Sequence, residues 1–244
     1  MPDKLRKRPF DKSRSNAATY ARALRKVARE VGRIIEGMED MTLASSGRIS
    51  EALRRYAEIL DPWARKVAGA MVFEANRADA RAWREASKEM GMAIRAEIAS
   101  TATGQRMREL MAEQVTLIKS LPLEAAERVH QLVMAAQVNS ARAKEIAEEI
   151  NRSGEVTESR AVLIARTEVG RASTVLTQAR AEAIGSEAYV WRTAHDSDVR
   201  PSHRKMEGKT VRWDDPPVLD GLRGHAGALP NCRCYPEPII PDKL

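Results

Sequence analysis

Residues 195–234, HDSDVRPSHRKMEGKTVRWDDPPVLDGLRGHAGALPNCRC, hold three of the chain's four histidines and both of its cysteines. Thiolates and imidazoles are the donors that zinc prefers, so His203, His225, Cys232 and Cys234 make a Cys2His2 set by type. The spacing argues the other way. There is no C-x2-C knuckle, and C-x-C is a less usual chelate. The competing reading alternates Cys232 and Cys234 across a strand, with at least one packed as a small hydrophobe. His203 then bonds to loop carbonyls. The expectation is no resident cofactor, with zinc on the four residues as the alternative.

A second chemistry is open to the same stretch. His195, Asp196, Asp198 and His203 could hold a divalent ion and activate water, as in a metal-dependent nuclease. Asp-x-Asp before Arg-Pro is also ordinary turn chemistry, because Asp side chains bond their own backbone. The chain has no HExxH, no phosphate-cradling glycine loop and no Ser-His-Asp arrangement. No catalytic residue is assigned on this basis.

These residues need elements to position them. Among 244 residues, 43% are hydrophobic and only 4% aromatic, which allows a core built mainly from helices rich in Ala, Leu, Arg and Glu. Residues 17–38 read as an amphipathic helix. Ala17, Tyr20, Ala21, Leu24, Val27, Ala28, Val31, Ile34, Ile35 and Met38 fall within an arc of roughly 140°. Ile49–Leu60 continues the pattern. Asp61-Pro62 reads as a cap and first-turn proline opening a helix to about residue 99, with Trp63, Val67, Met71, Ala75, Trp83, Met90 and Ile94 inward. STATGQ at 100–105 reads as a break, and Leu121-Pro122 as the start of another helix. NRSGEVTES at 151–159 reads as a polar linker. Thr157 would then cap a helix that Gly185 ends. Residues 187–193 and 209–213 read as strands. The fold class expected is α+β: a mainly helical N-terminal body and a small C-terminal α+β domain, a long helix followed by short strands and loops. The divisions expected are 1–38, 39–152 and 153–240.

Charge is localised. Residues 1–33 contain eleven Lys or Arg and three acids, a net of +8 in a chain whose total is +7. Residues 1–15 read as a charged arm. In the helix that follows, Arg22, Arg25, Lys26, Arg29 and Arg33 lie opposite the apolar arc, within roughly 100°. Such a face suits non-specific double-stranded DNA, or an acidic protein surface. No apolar run is long enough to span a bilayer. The N-terminus lacks the apolar stretch of a signal peptide, and two cysteines at C-x-C spacing do not make a disulfide framework, so the expectation is a reducing cytoplasm.

Within the helix 157–185, Ile164, Ala165, Ala172, Val175 and Leu176 form an apolar face. Arg166 and Glu168 point in different directions, so they do not pair on the same helix, and the plain reading is a solvated face. The expectation is an ion network joining Arg166, Asp196, Asp198 and Arg200.

The order ARTEVGRAS, YVWRTAHDSDVRPSH, Gly208, VRWDDPP and PNCRC resembles the phage Mu F-like head morphogenesis family over about residues 157–238. The recurring positions fall on Arg166, Thr167, Glu168, Trp191, Asp196 or Asp198, Arg200, His203, Gly208, Asn231, Cys232 and Cys234. Many relatives carry C-x-x-C where this chain has Arg200-Pro-Ser-His203, and a histidine where it has Leu229. Both departures remove candidate zinc ligands. The first 150 residues match nothing recognisable. The resemblance implies a minor capsid protein, not an enzyme. It would associate with the portal protein, with the major capsid or scaffold protein as further partners, and assist head assembly, DNA packaging or delivery. It implies a place in the virion at the portal vertex after assembly in the bacterial cytoplasm, with no membrane partner. The alternatives are a metal-dependent nuclease or other DNA-processing enzyme, and a host-encoded DNA-binding or toxin-like protein that borrowed the domain.

Overall fold

The computed structural model describes residues 14–37, 43–89, 101–139 and 143–241. The arm at 1–13, Met38, Met90 and Ile94 lie outside them. The fold is α+β and mainly helical. Five long helices come first: α1 (Arg14–Glu36), α2 (Leu43–Ile59), α3 (Asp61–Glu89), α4 (Thr101–Asn139) and α5 (Ala143–Ala183). Then follow β1 (Ala188–Thr193), the short α6 (Pro201–Arg204), β2 (Thr210–Arg212), β3 (Val218–Leu219), β4 (Leu222–Arg223) and β5 (Cys234–Pro238). No described helix is long and apolar enough to cross a membrane.

The chain divides into two compact units, with the divisions falling inside helices. One unit comprises Ala18–Gly69 and Met111–Ala165. Its core gathers Val31 and Ile35 of α1, Ile49 and Leu53 of α2, Ala125, Ala126, Val129 and Val133 of α4, and Ile150 of α5. The apolar arc of α1 is buried as expected, at Tyr20, Leu24, Val27, Ala28, Val31 and Ile35. Tyr20 donates its hydroxyl to Gln114 at 3.0 Å, and Lys119 meets Asp61 at 3.0 Å.

Three expectations fail here. Pro122 does not start a helix but lies inside α4. A mid-helix proline removes a hydrogen bond and typically costs about 3 kcal/mol. Yet Ile118, Leu121, Ala125 and Val129 are all at most 1% exposed, so one buried stripe runs straight through the proline. That shared burial offsets the lost bond. The break at 100–105 is likewise helical from Thr101, with Gln105 and Arg106 both bonding Glu109 one turn on.

The third failure is the linker. Residues 151–159 are helix, in the middle of α5. Ser153 and Thr157 turn inward, while Asn151, Arg152, Glu155, Glu158 and Ser159 stay exposed on the outer face. Thr157 is buried and donates Oγ1 to the Ser153 carbonyl at 2.6 Å, so it caps nothing. Arg128 donates to the same carbonyl at 3.3 Å. Gly154 is there for close approach: a Cβ on it would lie 3.2 Å from the Gly32 Cα of α1. The glycine marks a helix crossing, not a hinge.

The other unit comprises Met1–Ala17, Ala70–Leu110 and Arg166–Leu244. Its sheet has the order β2-β1-β5, antiparallel throughout, with Ala188 opposite Arg212 and Thr193 opposite Cys234. Both expected strands are present. The end of α5 is as expected: Gly185 takes φ +77°, its N–H bonds the Glu182 carbonyl, and the Ser186 N–H reaches back to Ala181. Those two bonds make a Schellman cap. β3 and β4 form a hairpin around Asp220 and Gly221, both at positive φ, the geometry of a type I′ turn.

A charged pair is buried in this unit. Arg180 of α5 contacts Asp79 of α3, and both side chains are at most 4% exposed. Thr177 donates to Asp79 at 2.5 Å, and Arg180 also donates to Asn76 at 2.5 Å. Burial pushes the Asp79 carboxyl up to about 6, against the pull of Arg180 and Thr177.

Two outcomes test these packing arguments by thermal or urea unfolding. Gly154→Ala is expected to lower stability although alanine gains about 1 kcal/mol of helix propensity, because the added methyl meets backbone that cannot yield, at a cost of about 1–3 kcal/mol. Gly32→Ala, whose Cβ would meet nothing within 4 Å, is the control and should not destabilise. Asp79→Ala leaves Arg180 buried without its carboxylate and should cost about 3–5 kcal/mol, whereas Asp79→Leu with Arg180→Met should recover most of that.

Candidate functional site: the Cys/His cluster and the basic face of α1

β1 is the central strand, and its side chains alternate in burial. Tyr189 and Trp191 are fully buried on one face with Val211, Trp213, Ala226, Leu229, Cys232, Cys234 and Trp83. Tyr189 lies 4.4 Å from Trp213 between ring centroids, and its hydroxyl accepts the Ala226 N–H at 3.2 Å. His225 presents Nδ1 to the same hydroxyl at 3.3 Å. Burial pushes the His225 imidazole below its usual range, opposed by Glu182, and raises the Tyr189 phenol. His225 is therefore engaged with Tyr189 and Trp213, away from the cysteines.

Trp191 meets His203 edge-on, with ring centroids 5.7 Å apart. Pro201 opens α6, and this single turn carries His203 into the core at 1% exposure. Its Nδ1 lies 3.3 Å from Cys232 Sγ and 3.6 Å from Cys234 Sγ. The three donor atoms lie within 4.8 Å of one another, all buried. Cys232 Sγ also accepts the N–H groups of Gly227 at 3.3 Å and Cys234 at 3.4 Å. The expected alternation of the cysteines across a strand does not occur. Cys232 leads into β5, and both sulfurs turn to the same imidazole, as residues two apart in an extended segment do. Of the four zinc candidates, His203, Cys232 and Cys234 converge and His225 does not. His203 Nε2 bonds no carbonyl. It is buried without a hydrogen-bond partner, 3.9 Å from Asp220 Oδ2. Asp220 was not among the candidates, although Asp-Gly between apolar residues is a hairpin signal.

The hydrolytic set is not assembled. His195 is exposed and lies 3.5 Å from Glu207. Asp196 and Asp198 both pair with Arg233, the middle residue of Cys-Arg-Cys. The Asp198 N–H bonds Asp196 Oδ1 at 3.2 Å, the turn chemistry expected of this pair.

The expected ion network takes different partners. Arg166 is exposed. Glu168 pairs with Arg171 one turn along α5 at 2.9 Å. Arg200 donates to the Pro230 carbonyl at 3.1 Å and lies 3.6 Å from Asp220. The residue of the Arg-Thr-Glu motif that reaches the C-terminal loop is Thr167, whose Oγ1 accepts the Asn231 N–H at 3.1 Å.

On α1, Arg22, Lys26, Arg29 and Arg33 are exposed, and Arg25 is half-buried. Arg25 meets Glu158 at 3.2 Å and Arg33 meets Glu30 at 2.8 Å. An open groove of about 720 Å3 beside this face is lined by Arg29, Arg33 and Arg152, and by Glu36, Glu148, Glu155 and Glu158. The basic face is thus partly neutralised within its own unit.

Residues 127–236 match the family described as Phage Mu protein F like protein. An uncharacterized protein of Haemophilus influenzae is 34% identical over 136 residues, which are 56% of this chain and 30% of that protein. A protein of Enterococcus faecalis named NAD(+)–arginine ADP-ribosyltransferase EFV is 30% identical over 131 residues, 48% of this chain and 26% of that protein. The chain spans less than a third of the length of either relative. No solved structure matches. The match begins inside α4, well before the expected start near residue 157, which corrects the reading that the first 150 residues match nothing. The match takes in the Arg-Thr-Glu helix, Trp191, the Asp196–His203 loop and Cys-Arg-Cys, so residues 127–236 are similar to the Phage Mu protein F like family, the family that those motifs resemble.

Proposed function

We propose that this chain is a phage head-morphogenesis protein that acts by docking, not by catalysis, at the portal vertex of the head. The observation that carries the reading is the family match over 127–236. The chemistry of the loops supports it. The acidic residues that a nuclease would offer to a metal ion are paired with Arg233, and Thr167 and Arg200 hold the loops that precede Cys232. A carboxylate engaged with a guanidinium is a poor ligand for a hydrated divalent cation. In this reading the motif residues fix the shape of a recognition surface.

The experiment is co-expression of the full chain with the portal protein of the same phage genome. Co-purification of the chain with the portal ring is the expected outcome. Absence of the chain from both the ring and assembled heads would sink the proposal. Plasmid DNA incubated with the protein and Mg²⁺ or Mn²⁺ should stay intact. Cleavage lost in Asp198→Ala, with the fold preserved, would favour the nuclease reading.

We further propose that the basic N-terminal region contacts packaged DNA. Arg22, Lys26 and Arg29 are the exposed cations of α1 without a carboxylate pair among the described residues, and Lys4, Arg6, Lys7, Arg8 and Lys12 add to them in sequence. Binding to random-sequence duplex should fall about a thousandfold between roughly 50 and 200 mM salt if six or so phosphates are neutralised. Reversing Arg22, Lys26 and Arg29 to Glu should reduce the slope of log affinity against log salt by about three. An unchanged slope would remove α1 from the DNA contact. Loss of portal binding in that variant, with no DNA binding by the parent, would assign the face to an acidic protein surface instead.

A further inference from the structure

The geometry points to a transition-metal site on His203 Nδ1, Cys232 Sγ and Cys234 Sγ, with zinc as the metal it suits and Asp220 as the carboxylate behind the histidine. The donor separations fit. A tetrahedral zinc ion with usual Zn–S and Zn–N bonds sets sulfur and nitrogen about 3.6 Å apart. The structure holds them at 3.3 and 3.6 Å. The donors are 1%, 7% and 0% exposed, so the group is shielded from water within the core.

The protonation pattern fits as well. A ligating imidazole leaves Nδ1 bare and carries its proton on Nε2. Here Nε2 faces Asp220 at 3.9 Å and has no hydrogen-bond partner among the described residues. Asp220 is itself held by Ser202 Oγ at 2.8 Å and by Arg200 at 3.6 Å. The carboxylate stands on the side of the ring that a carboxylate–histidine–metal arrangement uses, at a separation wider than a hydrogen bond that has to close for the ring to be fixed. The N–H groups of Gly227 and Cys234 on Cys232 Sγ favour the thiolate. Binding converts the two thiols to thiolates and releases their two protons to solvent. Two soft sulfurs and one imidazole select zinc over magnesium or calcium. Among the described residues no further histidine, cysteine or carboxylate joins the group, so the protein supplies three donors and the fourth position falls to an exogenous ligand. The ion would fasten α6, a single turn without a side-chain cap, to the start of β5.

The test titrates the full chain with Co(II), then with Zn(II) against a chromophoric chelator. One equivalent per chain is expected, with thiolate-to-cobalt charge-transfer absorption of two-thiolate strength that zinc abolishes. Cys232→Ser and Cys234→Ser should each lose the two-thiolate spectrum. Asp220→Asn should keep the stoichiometry and weaken affinity by about 10- to 100-fold. Asparagine is at home in a type I′ turn, so that variant isolates the carboxylate. His225→Gln should change neither stoichiometry nor affinity. A cobalt complex with no thiolate band, or two thiols whose reactivity excess zinc does not alter, would overturn the proposal. So would loss of binding in His225→Gln. If the cysteine variants unfold, the wild-type spectrum with Asp220→Asn and His225→Gln still decides the question.

Discussion

The C-terminal unit depends on the burial of Tyr189 and Trp191 on one face of β1. Strand alternation sends both rings inward, and Ala226, Leu229 and Cys232 of the later loops and Cys234 of β5 pack in the same core. Tyr189 takes the Ala226 N–H on its hydroxyl, which holds the loop carrying His225. Trp191 offers its edge to His203 and so sets where α6 can sit. Aromatics are only 4% of the chain, and three of its four tryptophans, Trp83, Trp191 and Trp213, are gathered in this one core. Their large buried area lets a three-stranded sheet with two short outer strands stand on its helices.

Charged pairs fall into two kinds, buried and exposed. In the sheet-bearing unit, Asp79 and Arg180 are withdrawn from water together. Such a pair contributes little net stability but is costly to break, because either partner alone is an uncompensated charge. Asp79 falls on the buried stripe of α3, so α5 must present Arg180 to it for the two helices to pack. Arg25 with Glu158, Arg160 with Glu124, and Arg33 with Glu30 in the helical unit are at least partly exposed. Exposed pairs of this kind are worth about 0–1 kcal/mol each. Stability there comes from the aliphatic core, while these pairs tune the charge that α1 presents.

What was legible in the sequence is what local pattern encodes. The apolar period of α1, the positive-φ Gly185 and the alternating β-branched and aromatic residues of β1 each act within a few neighbours. What was not legible depends on groups far apart in the chain. Pro122 reads as a helix start until the buried stripe on both sides of it is seen to be one. Gly154 reads as a linker residue until Gly32 is found against it. Asp79 and Arg180 are about a hundred positions apart, and nothing near either marks the other. The metal-type residues were legible as a set, but not which three of the four converge. His225 was taken by Tyr189, and no spacing rule contains that competition.

Cys-x-C spacing, which counts against a metal knuckle in the sequence, is what this loop requires in space. A knuckle of the C-x2-C kind wraps both sulfurs around an ion from one turn. Here Cys232 leads directly into β5, whose backbone must stay extended to pair Cys234 with Thr193. In an extended segment, residues two apart share a face and the one between them faces the other way. Cys232 and Cys234 therefore both turn toward His203, while Arg233 turns out to Asp196 and Asp198. One tripeptide closes the core on one side and ties down the acidic loop on the other. Inserting a residue between the cysteines would put one sulfur on the outer face and separate Arg233 from its carboxylates. The C-x-C spacing is thus fixed by the strand that follows it, whether or not an ion is bound.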